Sequence, residues 1–343
     1  MQDIHTGIPF SQIIDDLLDD SKPFPPVHLH RFSDLFTNDL DLLKASWQKV
    51  NQKRKIALFE DLEELAEADP LMCFDDLSIF ALEDQTPQVR AIAIRLLWET
   101  NDVTVPRRLI RLVKSDPDEV VRADAASGLG VYVYRGELGE ISEATAHLVM
   151  DTLLAAYRGN DTQLVKRKCL ESLGFSSNQP IPSLIRKAYD SADMTWRVSA
   201  LFAMGRSADA RWRKQVTASL NDPDPEIRYE AIRAAGELEM KDARQTLLEF
   251  LLDEENRENE DMFRAIVWSL SQIGGDNVRA TLSELIDLAD EDEAVDFIED
   301  ALDNLSLTEG LQPFDILAIP LDDEDGDDPR AVNEDLDLED DEF

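Results

Sequence analysis

The sequence runs to 343 residues, 43% of them hydrophobic, with 34 basic against 73 acidic side chains and a formal net charge of −39. That length supports a sizeable core, in two ordinary domains or one elongated array, while the charge opposes phosphate binding, which needs clustered Lys and Arg. No run of about 18 apolar residues predicts a membrane span, and residues 1–20 lack the basic start and apolar core of a signal peptide.

The two cysteines, Cys73 and Cys169, are far apart and read as buried thiols, so a cytoplasmic, reducing compartment is expected. Charge is segregated along the chain. Residues 1–88 carry 7 basic and 18 acidic side chains (net −11), residues 89–218 carry 19 and 15 (net +4), and residues 219–343 carry 8 and 40 (net −32). A uniformly acidified chain would not leave its middle slightly basic, so the pattern points to a functional or solubilising segregation.

From the N-terminus, residues 1–45 read as a cap or extension. FSQIIDDLLDD (10–20) is amphipathic and Pro23, Pro25 and Pro26 follow it. Such a piece covers the apolar edge of a first repeat or serves as a short docking helix, and capping is the expected role. His28-Leu-His30 has the spacing of half a metal site but no thiol or carboxylate ligands beside it, so a structural role and no metal are expected.

Residues 46–310 repeat one frame, and a first copy begins near Arg54 in QKRKIALFEDLEEL. TPQVRAIAIRLLW (86–98), DPDEVVRADAASGLG (116–130), DTQLVKRKCLESLG (161–174), DMTWRVSALFAMGR (193–206) and NDPDPEIRYEAIRAAGEL (221–238) align on Arg90, Arg122, Lys166, Arg197 and Arg228. Weaker copies lie at 261–275, aligned on Phe263, and at 293–304, aligned on Val295; an insertion falls near 131–145. Residues one before, three after and seven after each anchor are small or apolar, as in Val121, Ala125 and Leu129, and these offsets share one helical face.

Eight after the anchor, glycine recurs at Gly130, Gly174, Gly205 and Gly236. A mid-helix glycine costs roughly 1 kcal/mol relative to alanine, so its recurrence predicts a close approach of two helix backbones. Asp84, Asp118, Asp161, Asp193 and Asp224 precede the anchors and are expected to cap their own helices and to pair with an anchor of an adjacent repeat. Asp224-Pro225 and Thr86-Pro87 mark helix starts. Upstream amphipathic stretches such as PRRLIRLVKSD (106–116) and ARQTLLEFLLDEE (243–255) complete each unit as helix, turn, helix. The run VYVY (131–134) stands alone as a strand-like signal.

On these stretches, residues 86–306 resemble tandem HEAT repeats, of the short type similar to the HEAT-like repeats of phycobilisome lyase subunits. The resemblance implies an all-α fold, an α-α superhelix (α-solenoid) of about 7–8 helix-turn-helix units whose second helices line a concave face. It implies protein binding and no particular chemistry, since such families include lyase subunits, adaptors, assembly chaperones and a few enzymes. HEAT-like deoxyhypusine hydroxylases use His-Glu pairs as iron ligands, and none of His5, His28, His30 or His147 is followed by glutamate. HEAT-like DNA glycosylases need a basic groove, which a net −39 disfavours.

Offsets +1, +5 and +9 turn away from the apolar face. They carry Arg95, Arg167, Phe175, Phe202, Arg206, Tyr229, Arg233, Arg264 and Trp268, the residue types that dominate interface energetics. This row is the expected partner-binding surface, and the competing reading buries its aromatics against neighbouring helices. Asp222 and Asp224 occupy a recurring turn, so no catalytic residue and no cofactor are expected. In residues 311–343, LQPFDILAIPL (311–321) is apolar and residues 322–343 hold 13 acids against one arginine, an expected disordered tail. Its possible roles are a solubilising bristle, a lure for a basic protein, or a flap over the basic middle. The functional expectation is a non-enzymatic scaffold or adaptor binding another protein on the concave face. The alternatives are an accessory subunit of a modifying enzyme or a lyase-like assembly chaperone, and nucleic-acid binding through the less acidic middle repeats.

Overall fold

The computed structural model describes residues 7–286 and 292–310, and within them every regular element is helical. The chain opens with α1 (Phe10–Leu18) and a 3-10 helix (Pro26–Phe32). Helix pairs then follow in series: α2 (Thr37–Trp47) with α3 (Gln52–Ala68), and α4 (Asp75–Ala81) with α5 (Pro87–Arg95). Next come α6 (Val105–Ser115) with α7 (Glu119–Gly128) and its continuation α8 (Gly130–Glu137), and α9 (Glu143–Arg158) with α10 (Gln163–Leu173). The series continues as α11 (Ile181–Tyr189) with α12 (Met194–Arg206), and α13 (Arg213–Ser219) with α14 (Pro225–Glu237). It closes with α15 (Arg244–Leu252) and the short α16 (Glu254–Glu258) before α17 (Glu260–Ile273), then α18 (Val278–Ile286) with α19 (Asp292–Gly310). The expected α-solenoid is therefore present, and VYVY is part of helix α8.

The N-terminal segment is apolar on its inner face. Phe10, Ile13, Ile14 and Leu17 of α1 are buried, α1 packs on α2, and the 3-10 helix packs on α3. The first helix pair begins at Thr37, inside the stretch read from sequence as an extension.

The second helices pack on one another from α3 through α5, α7, α10, α12, α14 and α17 to α19, whereas the first helices from α4 onward rest chiefly on their own partners, α6 also touching α9, and α2 leans on α1. The repeat offsets explain this. Val89, Val121, Val165 and Ile227 before the anchor, Ala93, Ala125, Cys169, Ala200 and Ala231 three after it, and Leu129, Leu173, Met204 and Ala235 seven after it are all fully buried. Trp196 departs from the pattern: it is half-buried and meets Tyr157 edge-to-face, with ring centroids 6.0 Å apart.

Each glycine eight after an anchor faces the residue six after the next anchor. A Cβ on Gly174 would fall 2.7 Å from Ala203 Cα, one on Gly205 3.1 Å from Ala234 Cα, and one on Gly236 2.8 Å from Ser269 Cα. Backbone therefore meets backbone in the second-helix layer. The two serines that replace alanine at this offset lose nothing by burial, because Ser172 donates to the Ala126 carbonyl and Ser269 to the Ile232 carbonyl.

A polar ladder runs along the edge where the pairs turn. Arg90 donates to both Asp116 oxygens at 2.8 and 2.7 Å, Arg122 holds Asp161, Arg197 holds Asp222 at 2.7 Å, and Lys55 holds Asp84 at 2.7 Å. The anchor of the first repeat is thus Lys55. Arg54, beside it, instead donates to the Asp19 and Lys22 carbonyls of the N-terminal segment. Capping and pairing, expected of one acid, are divided between two. In Asp116-Pro117-Asp118, Asp116 receives Arg90 while Asp118 accepts from the Val120 and Val121 amides; in Asp222-Pro223-Asp224, Asp222 receives Arg197 while Asp224 caps α14. Asp84 is likewise a pairing acid and Asp193 a capping one. Thr86 precedes Pro87 as expected, but its side chain makes no cap bond, and its amide donates to Asp84.

Candidate functional site

The row at +1, +5 and +9 lies on the second-helix layer, and its members differ in depth. Phe175, Phe202, Tyr229 and Trp268 are all half-buried. Phe175 and Tyr229 pack against the buried core, while Phe202 and Trp268 stand off it. What holds Phe202 is a pair of guanidiniums. Arg206 lies over its ring at 5.1 Å from the centroid and Arg233 at 5.9 Å; Arg206 also covers Phe175 at 5.5 Å, and Phe175 meets Tyr134 at 5.5 Å. Each such contact contributes about 0.5–1 kcal/mol at partly exposed sites.

Glu237 fixes both guanidiniums, with Oε1 3.5 Å from Arg206 and 3.5 Å from Arg233, and Glu230 approaches Arg233 at 3.8 Å. Burial pushes the Glu230 carboxyl up to about 7 despite Arg233, and burial also raises that of Glu237. The result is a pre-positioned patch from the end of α10 across α12 to α14: two ring faces, two forked donors and carboxyls tucked beneath them.

The flanking members of the row are placed differently. Arg264 donates to Glu260 and Glu293 and lies over Phe297 at 5.0 Å from the ring centroid. Arg95 is exposed but bridges Glu63 of α3 and Asp124 of α7, tying three successive second helices. Arg167 is half-buried, and its Nε is buried without a hydrogen-bond partner among the described residues. The anchors Arg90, Arg122 and Arg197 belong to the edge ladder, and Arg228 donates to the Asp222 and Pro223 carbonyls. The Lys166 side chain makes no ion pair or hydrogen bond among the described residues.

One surface escaped the sequence reading. A cleft of about 800 Å³ includes Glu67, Asp75, Arg95, Glu99 and Asp102, and beside them Trp98 is 66% exposed. Trp98 sits eight after Arg90, the offset held by glycine in later repeats, so the signal was in the sequence. His28 is buried, its Nε2 3.1 Å from Asp16 Oδ2. Both cysteines are free, and burial pushes the Cys169 thiol up to about 12. Among the described residues no group of His, Cys, Asp and Glu is arranged to hold a metal, and no helix is long and apolar enough to cross a membrane. The apolar strip and acidic tail lie outside the described residues.

The family model for HEAT repeats matches residues 75–174, 181–260 and 218–306. No curated protein matches the chain. Among solved structures, E. coli YibA shares 17% identity over 83% of this chain and 99% of its own, with a TM-score of 0.38. Human deoxyhypusine hydroxylase in complex with glycerol shares 16% over 87% of this chain and 96% of its own, TM-score 0.34. Kap95p, solved with RanGDP, shares 13% over 90% of this chain and 46% of its own, TM-score 0.40. None of these three bears on function.

Proposed function

The chain belongs to the HEAT-repeat family, and from that premise we propose that it is a non-catalytic adaptor binding another protein along the inner row of its second helices. HEAT repeats in general serve as protein-interaction scaffolds, because an open stack offers a long continuous face without a closed active-site cavity. The observation that supports this row is Phe202, a half-exposed ring that does not join the core and is gripped between Arg206 and Arg233.

Aromatic and arginine side chains give the largest losses when interface residues are truncated, since rigid rings and planar forks lose little entropy on binding. A partner segment presenting an apolar side chain flanked by carboxylates fits that patch, and Trp268 with Arg264 extends it by one repeat. The test is affinity capture from the native cell with mass spectrometry, comparing the parent chain with the Phe202→Ala/Trp268→Ala variant. The variant is expected to keep its helical circular dichroism and melting temperature and to lose its specific partners. An unchanged fold with an unchanged partner set overturns the reading.

A further inference from the structure

Among the described residues the edge ladder lacks its ion pair after two anchors: Arg228, which donates to the Asp222 and Pro223 carbonyls, and Lys166, whose gap is the open one. In neighbouring repeats the acid that receives the preceding anchor lies five or six residues before the next one: Asp84 before Arg90, Asp116 before Arg122, Asp161 before Lys166, Asp222 before Arg228. Six before Arg197 stands Ser191. Its hydroxyl accepts from the Asp193 amide at 3.1 Å, as Asp116 and Asp222 accept from the Asp118 and Asp224 amides, so the turn survives. The carboxylate is missing, and the anchor facing it is Lys166, the one lysine among the five anchors aligned from Arg90 to Arg228.

The gap opens into a cleft of about 500 Å³ between α9, α10, α11 and α12. The crossed rings of Tyr157 and Trp196 form its apolar wall, and Arg158, Lys166 and Lys187 bring three cationic heads to it. None of their side chains makes an ion pair or hydrogen bond among the described residues. Of the acids nearby in the chain, Asp161 is held by Arg122 and meets Lys166 only at longer electrostatic range, Asp193 caps α12, and the exposed Asp190 makes no ion pair among the described residues. In a chain of net −39, three cations without a direct ion pair around an aromatic wall form a local inversion of charge.

We propose that this cleft docks the chain's own acidic segment, residues 322–343, with one of its carboxylates taking the place at Lys166 that an aspartate holds in neighbouring repeats. Charge complementarity carries the choice of occupant, since that segment has 13 acids against one arginine. Reach permits it. Helices pack about 8–10 Å apart, so three repeats set Gly310 about 24–30 Å along the stack from the cleft, and the 19 residues of α19 carry it about 28 Å from the turn edge, a separation of about 40 Å. Residues 311–321 span up to about 3.3–3.6 Å each when extended, and the acidic residues after them add further length, so the segment can cross that gap. Tethering raises the effective concentration of the segment to about the millimolar range, so weak individual charge contacts suffice. The cleft lies on the turn edge, away from Phe202, so this site and the partner-binding row stand or fall separately.

Carbodiimide cross-linking of the full chain, which joins carboxylates to lysines in contact, tests the proposal by peptide mass spectrometry. Links from residues 322–343 to Lys166 and Lys187 are expected within monomers, at least about tenfold above those to the exposed Lys114 and Lys241. They should vanish near about 0.5 M salt, where screening falls below about 5 Å. Ser191→Asp supplies Lys166 with a carboxylate in place; it should raise the melting temperature and cut the links to both lysines several-fold. Links spread evenly over all lysines, links only between separate chains, no links, or links indifferent to Ser191→Asp each overturn the proposal.

Discussion

A Cβ placed on Gly174 lies 2.7 Å from the Cα of Ala203, so α10 and α12 meet main chain to main chain. Gly174→Ala pits two effects against each other. Helix propensity favours alanine by about 1 kcal/mol in a helix interior, and less here, since Gly174 is the cap residue of α10. Overpacking costs about 1–3 kcal/mol, and no rotamer change relieves a clash with backbone. Net destabilisation is expected, read as a lower urea midpoint with unchanged slope. Gly128→Ala should be milder, because its new methyl would meet only side-chain tips of Leu109 and Ile94 at 3.1 and 3.3 Å. A midpoint raised by Gly174→Ala contradicts the close-contact account.

Much of this was legible in sequence because repetition averages out local noise. Offsets −1, +3 and +7 identify the buried face through helical periodicity, and glycine recurring at +8 despite its helix cost identifies the closest approach. The division of labour between Asp116 and Asp118 was not legible: both carboxylates precede the anchor, and only the position of the neighbouring repeat decides which one Arg90 reaches. The same holds for Arg54 and Lys55, adjacent cations pointing to different elements. The row was visible as a face but not in depth. Phe175 and Tyr229 share its offsets with Phe202 and yet pack on the core.

The two acids of one Asp-Pro-Asp turn should differ in cost. Asp116 is 8% exposed and Arg90 7%, so Asp116→Ala leaves a guanidinium buried with only the Asp84 carbonyl as partner. Breaking a buried pair from one side costs about 3–5 kcal/mol. Asp118→Ala removes an N-cap, at about 1 kcal/mol. Equilibrium denaturation of the two variants should show the larger loss for Asp116→Ala, and equal losses would mean that the ladder contributes little beyond the turn.

The cysteines should react unequally. Cys169 is buried in α10 with its thiol pushed up to about 12, whereas Cys73 is half-exposed and raised less, chiefly by burial. Thiolate is the reactive form, so a thiol reagent at pH 8 should modify Cys73 slowly and Cys169 only on unfolding. Native stoichiometry near one, rising to two in denaturant, is the expected readout. Prompt modification of both would contradict the packing of α10.

The row contains its own pH response. Burial outweighs the nearby Arg233 and holds the Glu230 carboxyl from its ordinary 4.5 up to about 7. The unfolded chain releases this proton near the ordinary value and the folded chain keeps it to about neutrality. Between those pH values the folded state therefore binds more protons, and stability falls as pH rises, by about 3 kcal/mol across the window for this group alone. Asp161, held low by the Arg122 guanidinium, acts with opposite sign and only in the acid range. Its contribution is present above the unfolded carboxylate value and is lost as pH falls through its folded one. Glu230→Gln keeps the shape and removes the proton, so its stability curve should be flatter from pH 5 to 8 and should cross above the parent at the alkaline end. Because Glu230 lies beside Arg233, partner capture by the parent should also change across this window, and by less in Glu230→Gln, where Glu237 alone remains to titrate beside the two guanidiniums. Parallel stability curves for the two proteins would show that the carboxyl titrates elsewhere.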